Sequence, residues 1–282
     1  MNLENWFIIF VRSVIEALTE FLPISSTGHL FLFSSFFPFS NMPNSAEFDD
    51  LFDIFIQTGA MLSVLVIYKD ELISKFKLGL NRLRNLTEDN TGINFWTNIV
   101  LGSVPVLIVG FLFKKKLDLL KSGDSLLIIL GTAWVLGGIV FLIVERYAKF
   151  NNDQKSFSWK ESLLIGIVQC IALIPGVSRS AATIITARLL GSDKKSSLEF
   201  SFFVAIPVLT AAGLYKLFKY RHILNMENLI LLSVGFFLTF IFCLYVIRFF
   251  LHYIRTRSFV IFGYYRIALG IAVLFYAVSV KN

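Results

Sequence analysis

The sequence contains little charge and almost no cysteine. Asp, Glu, Lys and Arg make up only 16% of its 282 residues, whereas a typical soluble domain carries about 25%. Its two cysteines, Cys170 and Cys243, lie far apart in apolar stretches without metal-ligand spacing, so we expect both to be small buried apolar side chains. The chain also lacks the pattern of a cleavable signal peptide, and we expect its first apolar segment to be retained.

A basic patch interleaved with aromatic residues is also missing, which argues against a nucleic-acid partner. The net charge is +7, but lysines and arginines lie at the ends of apolar stretches, as at Lys114–Lys116 and at Arg255 and Arg257. In such positions they meet anionic lipid headgroups. We therefore expect the partners to include membrane lipids and no nucleic acid.

Apolar residues, by contrast, are abundant and come in blocks. Hydrophobic residues make up 56% of the chain, and the mean hydropathy is +0.73. The apolar segments are Trp6–Leu22, Leu30–Phe39, Leu51–Tyr68, Phe95–Phe113, Leu126–Val144, Trp159–Ile174, Ala181–Leu190, Phe200–Phe218, Leu229–Phe250 and Phe259–Val280. Eight are long enough, or nearly so, to cross about 30 Å of hydrocarbon, and the two short ones fit re-entrant helices better. The sequence thus predicts an all-α polytopic membrane protein with one integral membrane domain over residues 1–282.

Each short segment follows a polar break that contains proline. The first break is Pro23–His29 and the second is Pro175–Ser180, and in both a Ser stands three residues after the Pro. Matching interrupted helices are typical of membrane proteins built from inverted repeats. We predict halves near 1–145 and 146–282. Because non-helical backbone inside a membrane needs protein or water around it, we expect both breaks to line one cavity.

Two glutamates lie one helical turn apart in the first apolar segment. Glu16 and Glu20 share a helix face, and a carboxylate inside a bilayer is costly enough to indicate function. Such a pair can hold a divalent cation together with substrate phosphate, or one acid can act as a general base. The structural alternative is an ion pair between Glu16 and Arg12, one turn earlier.

The first break carries three hydroxyls and an imidazole, from Ser25, Ser26, Thr27 and His29. One reading is that these side chains cap a helix that starts near Leu30. The other is an anion site, formed by the hydroxyls and the free amides at that helix start. Capping accounts for one hydroxyl but not for the whole cluster.

Arg179 stands in the second break, where it needs an anionic partner. Either glutamate or a phosphate can serve, since arginine offers paired planar donors to phosphate. Ser178, Ser180 and Thr183 supply hydroxyls beside it. The structural alternative is an arginine that reaches toward the membrane surface, with serines that only cap a helix.

Two acids, a histidine, an arginine and many hydroxyls at two helix starts favour phosphoryl-transfer chemistry. A covalent route would use Ser26 or His29 as the nucleophile. A direct route would use water activated by a metal or by a carboxylate. The sequence leaves the choice of attacking group open.

Two motifs carry a family resemblance. EALTEFLPISSTGH, from Glu16 to His29, resembles the signature E-x-x-x-E-F-L-P-x-S-S-T-G-H of undecaprenyl-diphosphate phosphatases, the bacitracin-resistance family. PGVSRSAAT, from Pro175 to Thr183, resembles that family's second signature, P-G-x-S-R-S-x-x-T. The similarity extends over essentially the whole chain. One departure is Ala181, where many members have Gly, and its methyl group could tighten the approach of a phosphate.

The resemblance implies hydrolysis of undecaprenyl diphosphate to undecaprenyl phosphate and inorganic phosphate, which recycles the lipid carrier for cell-wall synthesis and confers bacitracin resistance. It also implies a multi-pass protein of the bacterial cytoplasmic membrane, a site open to the periplasm or exterior, and a divalent cation, Mg²⁺ or Ca²⁺. A homodimer is one option. The expected catalytic residues are Glu16, Glu20, Ser26, His29 and Arg179, with both glutamates as metal ligands. The expected phosphate-binding residues are Ser25, Thr27, Ser178, Ser180 and Thr183.

Inverted repeats with interrupted helices are also typical of transporters. A lipid flippase or secondary transporter built on the same repeat is therefore the alternative function, and a phosphatase of this build could also move its lipid product across the membrane. A transporter would keep its flux after loss of the hydroxyls. An enzyme would lose phosphate release in His29→Ala and in Arg179→Ala.

Overall fold

A computed structural model describes residues 3–40, 42–121, 125–147 and 156–279, and within these ranges every regular element is a helix. The α-helices are α1 (Leu3–Thr19), α2 (Ser26–Phe36), α3 (Ser45–Ile67), α4 (Lys69–Leu83), α5 (Thr91–Leu112), α6 (Lys114–Lys121), α7 (Leu126–Tyr147), α8 (Trp159–Gln169), α9 (Arg179–Leu189), α10 (Lys194–Lys219), α11 (Met226–Thr256) and α12 (Val260–Ser279). Short 3₁₀ turns follow α8 and α10. The predicted all-α fold is confirmed.

Six of these helices, α3, α5, α7, α10, α11 and α12, are long and apolar enough to cross a membrane. The chain is therefore a multi-pass membrane protein. The sequence had suggested eight such segments. The two that fall short are α1, with 17 residues, and α8, with 11 residues before a 3₁₀ turn. Each ends a few residues before the proline of a break, at Thr19 before Pro23 and at Gln169 before Pro175.

Each interrupted helix forms a hairpin with a short helix. α2 and α9 contain 11 residues each, about half of a membrane span. Both begin earlier than expected, at Ser26 and at Arg179, so the polar residues of each break belong to the first turn of a helix. The residues just before them, Ser25 and Ser178, both have positive φ angles, of 74° and 44°. The sequence pattern had aligned Ser26 with Ser178, each three residues after a proline. In the structure the equivalent residues are Ser25 and Ser178, because both precede the short helix with a positive φ.

Helix contacts between the two halves are reciprocal. α1 packs on α11 and α8 packs on α5, while α3 contacts α10 and α7 contacts α12. A two-fold relation between the halves would give this exchange, since equivalent helices then contact each other or swap partners. The inverted repeat and its boundary stay predictions.

The contact between α7 and α12 depends on four glycines. A Cβ added at Gly138 would lie 2.7 Å from the carbonyl oxygen of Gly263, and one added at Gly270 would lie 2.7 Å from that of Gly131. Small residues let two membrane helices approach until their backbones touch. This approach places α12 against both breaks.

We expect Gly270→Ala to lower the free energy of unfolding by about 1–3 kcal/mol, because the methyl group must push α7 and α12 apart. Gly110→Ala on α5 is the matched control, since an added Cβ there has its nearest neighbour 3.5 Å away. Thermal unfolding in detergent measures both variants. Equal melting temperatures would contradict the close packing.

Candidate functional site

The two breaks meet through a charged pair. The Arg179 guanidinium, at the first residue of α9, lies 3.0 Å from one carboxylate oxygen of Glu20. Ser26, at the first residue of α2, donates its hydroxyl proton to the other oxygen of Glu20. The anionic partner expected for Arg179 is thus present. One carboxylate connects a hydroxyl from the first half with a cation from the second.

Arg179 is held from its other side by α10. Its Nη1 donates to the carbonyl oxygen of Ser201 at 2.6 Å, and Thr183 donates to the Ser201 hydroxyl at 2.7 Å. The buried Nε of Arg179 has no hydrogen-bond acceptor among the described residues. The guanidinium is therefore fixed in direction while one donor stays available.

Glu16 is completely buried, and neither carboxylate oxygen has a hydrogen-bond partner within the described ranges. The charged groups that interact with Glu16 are Glu20, Asp53 and Arg179. The alternative pairing with Arg12 is wrong. Arg12 instead contacts Asp53 at 3.2 Å and the carbonyl oxygen of Phe37 at 3.0 Å, because its side chain turns toward α3 and the end of α2.

A divalent cation would find an incomplete site here. Among the described residues, no group of three or more His, Cys, Asp or Glu side chains could hold a metal ion. Glu16 has free oxygens, whereas Glu20 is engaged by Ser26 and Arg179. Magnesium usually takes one or two carboxylates and fills its other positions with water and substrate phosphate. The pair fits that arrangement, with Glu16 as the more available ligand.

The hydroxyls of the second break are already engaged. Ser178 accepts a hydrogen bond from the amide of Ala181 at 3.2 Å and so caps α9. Ser180 donates to the carbonyl oxygen of Leu22 at 2.8 Å, which ties the second break to the first. Of these side chains, Ser180 is the one that joins the two breaks, while Thr183 bonds Ser201 of α10. Their direct contact with phosphate stays a prediction.

His29 lies apart from the charged pair. Its Nδ1 bonds the carbonyl oxygen of Ser25 at 2.8 Å, so Nδ1 carries the proton and Nε2 accepts from the Tyr265 hydroxyl, also at 2.8 Å. The imidazole stacks on the Tyr265 ring with centroids 5.7 Å apart. No described hydrogen bond joins it to Glu20 or Arg179. Both ring nitrogens are thus occupied, which does not favour His29 as the nucleophile.

The capping alternative fails for the first break. Ser25 precedes α2 with a positive φ, and its side chain makes no capping hydrogen bond. A non-glycine residue with this φ is strained, and such residues are frequent at functional sites. Thr27 is exposed and faces a cavity.

That cavity has a volume of about 660 Å³ and touches both breaks, at Thr27 and at Pro175. One wall of the cavity is formed by α3 residues Asp49, Asp50, Asp53 and Gln57, and the cavity is also lined by Lys115, Lys219 and Tyr220.

Burial raises the pKa of the Tyr220 hydroxyl to about 12, so Tyr220 stays a neutral donor to Asp50, 2.7 Å away. The cavity offers a polar path from basic side chains to the two breaks.

With this geometry established, comparisons with known proteins give the family. The family model described as bacitracin resistance protein BacA matches residues 9–272. The chain belongs to this family. It is 53% identical to a protein named undecaprenyl-diphosphatase from Leptospira borgpetersenii serovar Hardjo-bovis, over 96% of this chain and 98% of the relative. It is 55% identical to one of the same name from Leptospira interrogans serovar copenhageni, over 94% and 95%, and 38% identical to one from Wolinella succinogenes, over 94% and 96%.

In this member of the BacA family the structure adds a residue that the sequence analysis missed. Arg266 of α12 is 1% exposed. It donates to the carbonyl oxygens of Pro23 in the first break (3.1 Å), Gly176 in the second (3.2 Å) and Ala133 of α7 (3.1 Å). The signal was available, since Arg266 is a charge within the apolar segment Phe259–Val280 and intramembrane charges indicate function by default.

Other contributors to this BacA site were not among the expected site residues. Ser201 and Tyr265 lie within long apolar helices, and only the folded arrangement brings them to Arg179 and His29. Trp134 of α7 is similar. Its ring lies where a side chain at Gly28 would project, at 2.5 Å from an added Cβ. Gly28 therefore permits α2 to pack against α7.

We expect Arg266→Gln to lower the free energy of unfolding by about 1–3 kcal/mol, because a shorter amide leaves buried carbonyls of the breaks without a donor. Arg248→Gln on the exposed face of α11 is the matched control and should unfold at the parent temperature. Thermal unfolding in detergent, with proteolysis at the breaks as a second readout, measures the effect. Unchanged stability in Arg266→Gln would show that the breaks hold together without it.

Proposed function

We propose that this chain hydrolyses undecaprenyl diphosphate to undecaprenyl phosphate and inorganic phosphate in the bacterial cytoplasmic membrane. The observation that carries the proposal is the position of Glu20, which bonds the Ser26 hydroxyl and the Arg179 guanidinium where the breaks meet. The names of relatives above 50% identity support it. They do not favour the transporter alternative. Recycling of the lipid carrier would account for bacitracin resistance.

Ser26 is the nucleophile that the geometry favours. Its oxygen would form a bond to the terminal phosphorus while the bond from that phosphorus to the bridging oxygen breaks and undecaprenyl phosphate leaves. The hydroxyl proton would pass to Glu20, its hydrogen-bond acceptor. Water would then attack the phosphoserine, and Glu20 would return the proton to the Ser26 oxygen as inorganic phosphate departs.

Arg179 would be shared between Glu20 and the substrate. In the free protein its guanidinium lies 3.0 Å from one carboxylate oxygen of Glu20. A phosphate bound to the guanidinium would compete with Glu20 for the same donors. Glu20 would keep its contact with Ser26 through the other carboxylate oxygen.

Charge on the phosphoryl group would be stabilised by groups that are already in place. α2 begins at Ser26 and α9 begins at Arg179, so two sets of free helix amides and two dipole ends meet at the breaks. Arg179 adds a fixed guanidinium. Preorganised donors of this kind need no reorganisation during the reaction and supply a large part of catalysis.

A divalent cation would bind through Glu16, with Glu20 as a further ligand when phosphate draws Arg179 away. When bound, Mg²⁺ or Ca²⁺ supplies positive charge to the diphosphate oxygens. Glu16 contributes a buried carboxylate without a hydrogen-bond partner in the described residues. An unpaired buried carboxylate is costly unless a cation or proton compensates it.

The cavity of about 660 Å³ that reaches Thr27 and Pro175 would give the headgroup and the water their route. Lys115 and Lys219 along its walls would attract the diphosphate by charge. We place this opening at the periplasmic or exterior face, where the substrate's headgroup would lie. Reactivity of a cysteine placed at Lys219 toward a membrane-impermeant thiol reagent in intact cells would test that orientation.

We expect Ser26→Ala to lower kcat for phosphate release by at least about 10²–10³-fold, since it removes the attacking oxygen. Ser233→Ala is the matched control, because Ser233 is an exposed residue of α11 whose hydroxyl donates only to the carbonyl oxygen of Leu229 among the described residues. Phosphate release from undecaprenyl diphosphate by the purified protein measures both. A brief reaction with substrate labelled in its terminal phosphate, quenched by acid, should label the parent at Ser26.

Two results would count against this scheme. Full activity in Ser26→Ala would remove Ser26 as nucleophile and return the choice to water or His29. No phosphate release from the folded parent protein at any metal concentration would remove the phosphatase proposal itself.

The metal assignment predicts a separate outcome for Glu16. Glu16→Gln should raise the Mg²⁺ concentration for half-maximal activity by about tenfold or more, because it replaces a charged ligand with a neutral one. Glu88→Gln, in an exposed loop, should leave it unchanged. A metal titration of phosphate release measures both. Activity that survives chelation in the parent would recast Glu16 as a proton-transfer group.

A further inference from the structure

A second cavity lies between α7, α8 and α9 and differs in chemistry from the cavity at Thr27, because it contains no acidic residue and no lysine among its described lining residues. Its volume is about 760 Å³, and its walls are made of Ile, Leu, Val and Ala side chains with two threonines and Arg266 as the polar exceptions. Among the residues that the structure describes, no aromatic one lines it, although aromatics make up 16% of the chain. We call it the apolar groove.

The inner end of the apolar groove is the second break. Ile174 and Val177, on either side of Pro175 and Gly176, line it together with Arg266. Arg266 donates to carbonyl oxygens of both breaks. No carboxylate contacts its guanidinium within the described part of the chain. The groove therefore begins beside an uncompensated positive charge.

The outer end lies toward the last turns of α7. The ion pair of Arg188 with Glu145, at 3.1 Å, places the end of α9 beside the end of α7. Leu164 and Leu189 line the groove in that direction. The cavity at Thr27 touches the first turns of α7 at Leu126 and Leu130, and the apolar groove reaches the same turns at Ile128 and Ile129. Among the described residues the two cavities share no lining residue, and only the groove continues along α7 to Val140.

We propose that the apolar groove holds the isoprenoid tail of the lipid diphosphate while its headgroup occupies the breaks. This rests on the phosphatase function proposed above and deepens it. An amphiphile with a charged end and a branched hydrocarbon chain fits polar breaks that are bordered by an aliphatic groove. The volume, within the usual ligand-pocket range of about 300–1,000 Å³, accommodates the first isoprene units. The rest of a long tail continues into the bilayer.

This placement makes the groove a determinant of chain-length preference. Burial of each further isoprene unit beside Leu164 or Val140 adds apolar contact area. A tail that ends before the outer turn gains nothing from those residues. The groove should therefore discriminate between long and short prenyl diphosphates, while the chemistry at the breaks is common to both.

The test blocks the outer end and compares two substrates. Leu164, 44% exposed, is replaced by Trp, and Leu229→Trp on α11, at a residue 42% exposed and outside the groove, is the matched control. Val140→Trp blocks the same end from the opposite wall and guards against a folding defect at position 164. Each purified variant is assayed with undecaprenyl diphosphate and with farnesyl diphosphate.

We expect kcat/KM for undecaprenyl diphosphate to fall about tenfold in both blocking variants, a loss typical of a changed fit in an apolar pocket. The value for farnesyl diphosphate should stay within about twofold of the parent. Leu229→Trp should change neither. A loss of kcat/KM for undecaprenyl diphosphate alone would identify the isoprenoid tail as the occupant of the apolar groove.

Other outcomes overturn the inference. Equal loss for both substrates, with a change in oligomeric state, would make the groove an interface between two copies. Unchanged kinetics in folded variants would make it a site for bilayer acyl chains only. Inactivity of the parent on both substrates would instead overturn the phosphatase function, so the two failures are distinguishable.

Discussion

The contact between Glu20 and Arg179 is the one on which the site depends. A carboxylate or a guanidinium inside a bilayer is costly alone, and these two come from helices on opposite sides of a long stretch of sequence. Glu20 lies where α1 ends before the first break, and Arg179 lies in the second break, at the start of α9. The pairing can form only if both breaks reach the same depth, so the charge pair and the helix hairpins require each other.

Interrupted helices expose backbone groups that the bilayer cannot satisfy, and the fold supplies their partners from elsewhere. Arg266 donates to one carbonyl oxygen in each break, while Ser180 crosses to the carbonyl oxygen of Leu22. The glycines of α7 and α12 bring α12 close enough for this. Non-helical backbone is tolerated at membrane depth only where such protein partners or water are present, and here Arg266 and Ser180 are protein partners of that kind.

The arrangement around the breaks matches a substrate that is polar at one end and apolar at the other. The cavity at Thr27 carries acids and lysines, and the apolar groove carries aliphatic side chains. The first cavity reaches the breaks at Thr27 and Pro175, and the apolar groove borders the second break at Ile174 and Val177. An enzyme that handles such a lipid must keep water at the phosphorus and exclude it from the tail. Two cavities of different character beside the same breaks suit both requirements.

Much of this protein follows from its sequence alone. Apolar blocks of membrane length predicted the helices, since the hydrophobic effect acts on local composition, and the motif from Glu16 to His29 predicted the family. The partners of those residues depended on tertiary structure. Arg12 contacts Asp53 and not Glu16, and His29 meets Tyr265 and not the charged pair, because a side chain's neighbours depend on how helices far apart in sequence pack. Arg266 belongs between these cases: its charge was visible in the sequence, but only the packing of α12 against both breaks shows what it binds.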